Sequence, residues 1–330
     1  MADGGPERNR QVPHNLQSLL RMAVEAGAAS GEGSAAEPMP QERRQWLQEA
    51  LANAFSGPVD EVQQIKECLQ CLQGELGDSV EDEEEEERRE QALDLLADLC
   101  ENIDNAADFC KLDGMRLLLE RYLERPEAEL RWRAAHLVGV CSQNVPFVQE
   151  HALALGAMGT LLRLLDRDHN ETVRVKALFA TSCLVREQEI GLLEFLKEDG
   201  FSVLMRAMQS DVMKLKVKSA FLLQNLLLSH PEHKDTLCAM GMVQQLVALL
   251  RTEHSSFHEH VLGALCSLVT DFPQGLEECR APELGFHELL VERRRLVHTQ
   301  EEFQEELEFC ERLLRVCFQD SPEESPGMDR

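Results

Sequence analysis

The sequence predicts an all-α protein, a right-handed α-solenoid of stacked three-helix units with additional N-terminal helices and a C-terminal capping helix. Five glycines at nearly constant spacing each precede a leucine-rich segment, and a longer helical segment follows each of the first four. Only 5% of the 330 residues are aromatic. Aromatic and β-branched residues favour strands, so this composition disfavours a sheet sandwich and suits leucine-rich helices.

The glycines provide the repeat signal. They are Gly114, Gly156, Gly200, Gly241 and Gly285, separated by 42, 44, 41 and 44 residues. This spacing lies within or close to the roughly 40 to 47 residues of two- and three-helix solenoid repeats. Each unit needs a residue that ends one helix and starts the next, and glycine suits that position because it adopts left-handed backbone conformations without strain.

The longer segments extend the repeat and carry a family resemblance. They begin at Leu130, Val173, Leu215 and Phe257, which are 43, 42 and 42 residues apart. The stretch 219–226 reads Ser-Ala-Phe-Leu-Leu-Gln-Asn-Leu and resembles the third helix of armadillo repeats, Ala-x-aromatic-Ala-Leu-Ser-Asn-Leu. The family's aromatic position holds His136, Phe179, Phe221 and Gly263, and its Asn position holds Val140, Cys183, Asn225 and Ser267. Because Asn225 alone keeps the family's amide, we do not expect this protein to bind an extended peptide in the way that armadillo repeats do.

Composition divides the chain into five parts. Residues 1–40 are predicted to be mostly disordered, apart from a leucine-rich motif at 14–26 that contains Leu16, Leu19 and Leu20 at helical spacing. Residues 41–80 are predicted to hold two helices separated by Pro58, and the acidic stretch 81–90 is predicted to be an extended linker because like charges repel. The repeats occupy 91–292. Residues 293–330 are predicted to form the capping helix, started by a capping box at 299–302, and a disordered tail.

Charge and cysteine usage narrow the function classes. A formal net charge of -27 disfavours binding to nucleic acids and anionic membranes. The eleven Cys fall mostly within apolar helical runs and no segment resembles a signal peptide, so we expect buried thiols in the reducing cytosol. No apolar stretch approaches the roughly 20 residues that span a bilayer.

No motif predicts catalysis. Phosphate-binding glycine loops and the Gly-x-Ser-x-Gly elbow are absent from the sequence. Cys68-x-x-Cys71 has the spacing of a redox motif, but a helical pattern there places both thiols on the buried face. His254, His258 and His260 lack a supporting Cys or fourth His nearby, so we expect no metal site. The sequence therefore predicts neither an enzyme nor a cofactor.

The repeats predict a protein-binding surface instead. Equivalent residues of stacked units line one concave face, and cations recur at the start of the longer helices. The predicted partner-binding residues are Arg131, Arg133, His136, Arg174, Lys176, Phe179, Lys214, Lys216, Lys218, Phe221, Asn225 and His260. A solvated face that balances neighbouring acids is the alternative, but recurrence in register over three repeats favours a shared surface that steers an acidic partner.

Longer stretches carry a more specific resemblance. Residues 42–50, 95–110, 173–179 and 216–247 are similar to a family of eukaryotic nucleotide exchange factors that bind heat-shock protein 70, and the similarity extends from about residue 15 to the C-terminal Met-Asp-Arg. This resemblance implies a co-chaperone whose concave face embraces one lobe of the chaperone's ATPase domain and opens the cleft to release ADP, without contacting the nucleotide. It also implies that Leu16, Leu19 and Leu20 mimic a chaperone substrate, although the motif could equally be a helix that docks on the body of the protein. An armadillo adaptor or scaffold that binds an extended peptide stays open as the alternative.

Overall fold

The structure, a computed structural model, describes residues 60–74 and 82–318. Contacts divide the chain into Met1–Val59 and Asp60–Arg330, and all described residues belong to the second unit. They form 17 α-helices joined by turns and short 3₁₀ segments, and no strand occurs among them. The predicted all-α fold class is confirmed.

Two helices precede the repeats. Helix α1 (Glu61–Gln73) starts where the Asp60 carboxylate accepts a 3.0 Å hydrogen bond from the backbone N–H of Gln63. Its apolar residues Ile65, Cys68, Leu69 and Leu72 are buried. Its end is fixed to the repeats because the Tyr122 hydroxyl donates to the Leu72 carbonyl at 2.7 Å. The helix predicted before Pro58 lies outside the described residues.

The acidic stretch is helical. Helix α2 (Asp82–Leu99) includes nearly all of residues 81–90, so the predicted linker is wrong there. Two physical reasons explain it: negative charge is favourable in the first turn of a helix, and the arginines that follow pair with the acids one turn earlier. The guanidinium groups of Arg88 and Arg89 lie 3.9 and 3.0 Å from the Glu84 and Glu85 carboxylates.

Five three-helix repeats follow. The first helices are α3 (Ile103–Lys111), α6 (Pro146–Ala154), α9 (Glu189–Lys197), α12 (Lys234–Ala239) and α15 (Pro273–Cys279). The second helices are α4 (Gly114–Leu117, continued by a π-helical turn Leu118–Tyr122), α7 (Ala157–Arg167), α10 (Gly200–Met208), α13 (Met242–Leu249) and α16 (Phe286–Val297). The third helices are α5 (Ala128–Ser142), α8 (Glu171–Val185), α11 (Met213–Ser229), α14 (Phe257–Val269) and α17 (Gln304–Phe318). A continuous apolar core runs through all of them.

Three of the repeating glycines cap the second helices as predicted. Gly156, Gly241 and Gly285 stand at the N-caps of α7, α13 and α16 with φ of 81°, 73° and 48°. Glycine adopts this left-handed conformation without strain, whereas among other residues Asp and Asn tolerate it best.

The other two glycines serve a different purpose. The left-handed residues there are Asp113 and Asp199, with φ of 59° and 56°, and each glycine is the first residue of its helix. A Cβ atom on these glycines would lie 2.3 Å from the ring of Phe109 or Phe195. The same sequence signal therefore arises from conformation in three repeats and from close packing in two.

The end of the solenoid differs in detail from the prediction. Helix α16 continues to Val297, past the predicted boundary at 292, and a 3₁₀ turn Glu301–Phe303 leads into α17 without a side-chain cap. Helix α17 is tied down by a buried network, in which the Glu306 carboxylate lies 2.8 Å from His254 Nε2 and 3.7 Å from Arg293 Nε. The predicted capping helix is present, but the capping box does not form.

First-helix side chains also hold the third helices. Gln149 Nε2 donates to the Cys183 carbonyl at 2.7 Å, and Lys234 Nζ donates to the Thr270 carbonyl at 2.7 Å. The last carbonyls of a helix have no partner within the helix, so these donors satisfy groups that would otherwise be left buried and unpaired. In the part of the chain that the structure describes, no helix is both long and apolar enough to cross a bilayer.

Candidate partner-binding face

The third helices lie side by side and present one continuous surface. Helix α2 packs on α5, and the contacts continue from α5 to α8, α11, α14 and α17. We call the solvent-facing side of these six helices the third-helix face. It is the surface on which the sequence placed its predicted partner-binding residues.

Arg131 is held within the protein. Its guanidinium forms two hydrogen bonds with the Asp168 carboxylate, at 2.9 and 3.0 Å, and also donates to the carbonyls of Arg125 and Pro126 at 2.7 and 2.6 Å. The two side chains are 15% and 6% exposed. Its cationic group therefore joins two repeats, and its predicted binding role is not supported by its surroundings.

Arg133 is also fully occupied. Its guanidinium lies 3.1 Å from the Glu90 carboxylate, 3.0 Å from Asp94 and 2.7 Å from Glu129, and stacks over the Trp132 ring at 4.2 Å. Three acids compensate one cation, so this part of the face is acidic rather than basic. On α8, Arg174 Nε similarly donates to the Leu165 carbonyl at 2.9 Å.

The lysines differ from the arginines. Lys176, Lys214, Lys216 and Lys218, which we call the central lysine cluster, have no carboxylate within ion-pair distance among the described residues. Lys214 and Lys218 are exposed. Lys176 and Lys216 are half-buried, with their ammonium groups 5.8 Å from the Trp132 ring and 6.0 Å from the Phe257 ring.

The electrostatics of Lys176 show how close these charges are. Burial lowers the pKa of Lys176, and the positive charges of Lys218 and Lys214 lower it further, against an opposing contribution from Asp94. Like charges on α8 and α11 thus repel one another across the helix contact. An acidic group of a partner placed between them would relieve that repulsion.

Aromatic side chains accompany the cluster. The His136 and Phe179 rings stack at a centroid distance of 5.6 Å, and Phe221 meets His260 edge-on at 5.4 Å. Burial is the main cause that lowers the pKa of His136 and of His260, so both rings present neutral surface at physiological pH. Phe221 is 45% exposed, which makes it available to a partner.

The family positions that departed from the armadillo pattern have structural explanations. A Cβ at Gly263 would lie 2.3 Å from Gln224 Nε2, so the α11 side chain fills the place of the aromatic residue. Asn225 is half-buried, and Ser267 donates to the Gly263 carbonyl at 3.0 Å. The structure therefore supplies no row of exposed amides along this face in the described repeats.

Acidic groups flank the lysines on both sides, which sequence reasoning missed. Glu90, Asp94 and Asp98 lie on α2, and Glu259 and Glu305 lie on α14 and α17, where burial and then Glu305 raise the pKa of Glu259. The face thus runs from acidic through basic to acidic. Recognising α2 as a helix in register with the third helices would have revealed the first flank.

The remaining candidates from the sequence were possible metal ligands, a possible redox thiol and the leucine-rich motif. His258 is completely buried, Nδ1 accepts from Arg293 Nη1 at 3.0 Å and Nε2 lies 3.1 Å from the Leu249 carbonyl. Burial raises the pKa of the Cys68 thiol to about 11, which opposes a reactive thiolate. No group of three potential metal ligands occurs in the described part of the chain. Leu16, Leu19 and Leu20 lie outside the described residues.

Solved structures share this architecture. A designed armadillo repeat protein matches with a TM-score of 0.60 and 14% identity over 78% of this chain and 100% of that chain. Another, solved in complex with the peptide (KR)4, gives 0.62 and 16% over 78% and 99%. The family model Armadillo/beta-catenin-like repeat matches residues 230–270. The protein is an armadillo-type helical-repeat protein.

Sequence relatives place it more narrowly. The model SIL1/FES1/HPBP1 C-terminal domain matches residues 105–228, and Nucleotide exchange factor Fes1 matches 16–109. Hsp70-binding protein 1 of Rattus norvegicus is 64% identical over 98% of this chain and 90% of that protein, and the Homo sapiens protein is 64% identical over 96% and 89%. Hsp70 nucleotide exchange factor FES1 of Mycosarcoma maydis is 33% identical over 44% of this chain and 37% of that protein. The chain belongs to the Hsp70-binding protein 1 family, and the resemblance found in the sequence is confirmed.

Proposed function

We propose that this protein is a co-chaperone that binds the ATPase domain of Hsp70 through its third-helix face and promotes release of ADP. The observation that carries the proposal is 64% identity to Hsp70-binding protein 1 over nearly the whole chain, together with the match to Nucleotide exchange factor Fes1. The Hsp70 nucleotide exchange factor FES1 relatives support the same activity.

The mechanism needs differential affinity between two states of the partner. A clamp that binds the opened ATPase domain about tenfold more tightly than the closed one shifts the opening equilibrium by about 1.4 kcal/mol. A common apolar core joins the stacked helices, so the face favours a partner shape that fits it over one that does not. The nucleotide then leaves through the opened cleft, without any chemical step on this chain.

The central lysine cluster is proposed to steer the partner. These cations have no ion-pair partner among the described residues and lie between acidic groups. They accelerate encounters with a matching acidic ridge, while the acidic flanks repel other orientations. Phe221 and Phe179 then supply apolar contact, which holds the complex once it has formed.

Two further properties belong to this proposal. We propose that the protein acts without catalysis and without a cofactor, since a nucleotide exchange factor leaves hydrolysis to its partner. We also propose that it works in the cytosol, because the eleven cysteines are free thiols and ten of them are buried.

The test measures ADP release. Hsp70 loaded with fluorescent ADP is mixed with the protein in the presence of excess ATP, and the fluorescence decay is timed. We expect faster release with the unmodified protein and little acceleration with a Lys214→Glu, Lys218→Glu variant. No acceleration by the unmodified protein would refute the proposed function.

A matched control separates local from global charge. Lys66 and Arg295 are exposed cations on α1 and α16, also without an ion pair among the described residues. The Lys66→Glu, Arg295→Glu variant changes the net charge by the same amount. It should keep the exchange activity, and an equal loss in both variants would show that net charge alone matters.

A further inference from the structure

A second surface, outside the third-helix face, carries exposed apolar side chains in register. Ile103, Phe147 and Ile190 are 59%, 51% and 50% exposed, and each is the first or second residue of a first helix. Their spacing is 147 − 103 = 44 and 190 − 147 = 43 residues, one repeat each. Leu193, one turn after Ile190, is 59% exposed. We call these four side chains the first-helix edge.

The pattern is restricted to part of the molecule. Helices α3, α6 and α9 pack side by side, which places the apolar residues in one row. The equivalent residues of the last two repeats are Glu232 and Gln274, so the row ends after the third repeat. A feature of the repeat itself would recur in all five, so the apolar row belongs to these three repeats in particular.

A groove adjoins the row. A cavity of about 360 Å³ opens beside Ile103, between the ends of α2 and α5. Its apolar lining comes from Cys100, Val140 and Val145, and its polar rim from Glu101 and Asn144. The cavity is large enough to accept one apolar side chain of a partner, and the row beyond it offers further apolar contact.

The charge around the row is mainly negative. Five exposed acids surround it, none with an ion pair in the described part of the chain, and Arg186 is the one exposed arginine or lysine in the connecting turns at this edge. The acids are Glu101, Asp104, Glu150, Glu187 and Glu189. An apolar row with an acidic border is complementary to an apolar stripe with a basic border.

The repeat spacing fits a helix laid across the three repeats. Packed helices are separated by about 8–10 Å, and seven residues of an α-helix rise about 10.5 Å. A partner helix with an apolar side chain every seventh residue would therefore place one side chain on each of α3, α6 and α9. Lysines and arginines beside that stripe would face the acids.

We propose that the first-helix edge binds a short, cationic, amphipathic helix of another protein, in the helix-in-groove manner in which regularly spaced apolar side chains anchor the ligand. A second copy of this chain is the wrong partner, because two such edges would bring acid against acid and the whole chain carries a charge of -27. An anionic lipid surface is repelled for the same reason. The third-helix face stays free, so this inference does not depend on the proposed function.

The probe is a fluorescein-labelled helix of about 21 residues, three heptads, with leucines on one face and lysines elsewhere. Its control is a scrambled peptide of the same composition, which keeps the charge but has no apolar stripe. In fluorescence anisotropy at physiological salt, we expect the helix to bind at least about tenfold more tightly than the scrambled peptide, a difference of about 1.4 kcal/mol. Equal affinities would overturn the proposal, because bulk charge attraction would explain them.

Protein variants locate the site. Changing Ile103, Phe147, Ile190 and Leu193 to Gln should weaken binding of the helix at least about tenfold, since apolar anchors dominate such interfaces. The matched control changes four exposed apolar residues elsewhere to Gln, namely Leu228, Met240, Leu296 and Val316. The control should bind as the unmodified protein does. An unchanged affinity in the first variant, or an equal loss in the second, would overturn the proposal.

Two further readouts complete the test. Circular dichroism and thermal melting should show both variants folded, as expected for exposed positions. ADP release from Hsp70 should be the same for the first-helix edge variant and the unmodified protein. If that variant loses exchange activity as well, the edge is part of the exchange site and not a separate one. If the unmodified protein fails to accelerate ADP release, the peptide result still stands by itself.

Discussion

Two regions of the third-helix face carry cations near the start of their helices and use them in opposite ways. On α5, Arg131 and Arg133 are enclosed by carboxylates and carbonyls of adjacent repeats. On α11, Lys218 stands at the repeat position equivalent to Arg133. Lys218 and Lys214 are exposed and lack such partners among the described residues. Position within a repeat therefore does not decide whether a cation is available. The acids on the neighbouring helix decide it.

The residue types match the two uses. Arginine offers several donors in a planar fork, so Arg131 can bond a carboxylate and two carbonyls at once. Lysine is a flexible point charge that keeps its hydration when exposed. Burial and then repulsion from Lys218 lower the pKa of Lys176, so bringing these lysines together opposes folding stability. Such an arrangement is typical of a binding surface.

The largest expected effect comes from breaking an enclosed arginine. Arg131→Ala removes the guanidinium from two carbonyls and from the Asp168 carboxylate, which then keeps the backbone N–H of Asn170 at 2.8 Å. We expect the free energy of unfolding to fall by about 4 kcal/mol. Urea denaturation measures it. Lys214→Ala serves as the contrast and should change stability by less than about 0.5 kcal/mol. Similar losses in the two variants would remove the distinction between the regions.

The next effect extends the comparison to Arg293, another enclosed arginine. It donates to His258 Nδ1, so the imidazole must stay neutral, and burial and Arg293 lower the pKa of His258 to about 4. As the pH falls, His258 of the unfolded chain takes up a proton near pH 6.5, whereas His258 of the folded protein takes one up only near pH 4. The free energy of unfolding should therefore fall by about 3 kcal/mol as the pH drops from 6.5 to 4. His254, Glu306 and Lys216 surround the same ring or its partner.

The measurement is urea denaturation at several pH values between 4 and 7.5. The His258→Gln variant should lack this contribution, so its pH dependence between 4 and 6.5 should be shallower by up to about 1.4 kcal/mol per pH unit. Parallel curves for variant and unmodified protein would exclude His258 as the titrating group.

A smaller effect concerns association with Hsp70. Lys214→Ala combined with Lys218→Ala should slow association about tenfold at low salt and flatten its salt dependence, because steering depends on unpaired charge. Arg133→Ala should leave the association rate within about twofold, since three carboxylates already compensate its charge. Stopped-flow fluorescence measures both rates. A slower association for Arg133→Ala than for the lysine variant would show that Arg133, and not the lysine pair, steers the partner.

The smallest expected effect is at Phe221. Because this ring is 45% exposed, Phe221→Ala should leave folding stability almost unchanged. Dissociation of the Hsp70 complex should become about fivefold faster, close to 1 kcal/mol, through lost apolar contact. Surface plasmon resonance measures the dissociation rate. An unaltered rate would place the ring outside the interface.

Much of the fold could be predicted because its signals are local. The apolar spacing of α1 and the glycine period are properties of short segments, and they correctly located helices and repeats. The acidic stretch at the start of α2 was misjudged because self-repulsion and helix-end stabilisation compete within the same residues, and pairs such as Glu85 with Arg89 favour the helix. The capping box failed because a 3₁₀ turn enters α17 instead.

By itself, the sequence determined the helical period, the repeat register and, through its resemblance, the family. Only the tertiary structure decided which cations are free, because Arg131 finds its acid 37 residues away and Arg133 finds one 39 residues away. It also decided that Gly263 makes room for Gln224 and that His258 is a core residue. Periodicity fixes which face of a helix is buried, whereas charge compensation depends on side chains brought together by stacking.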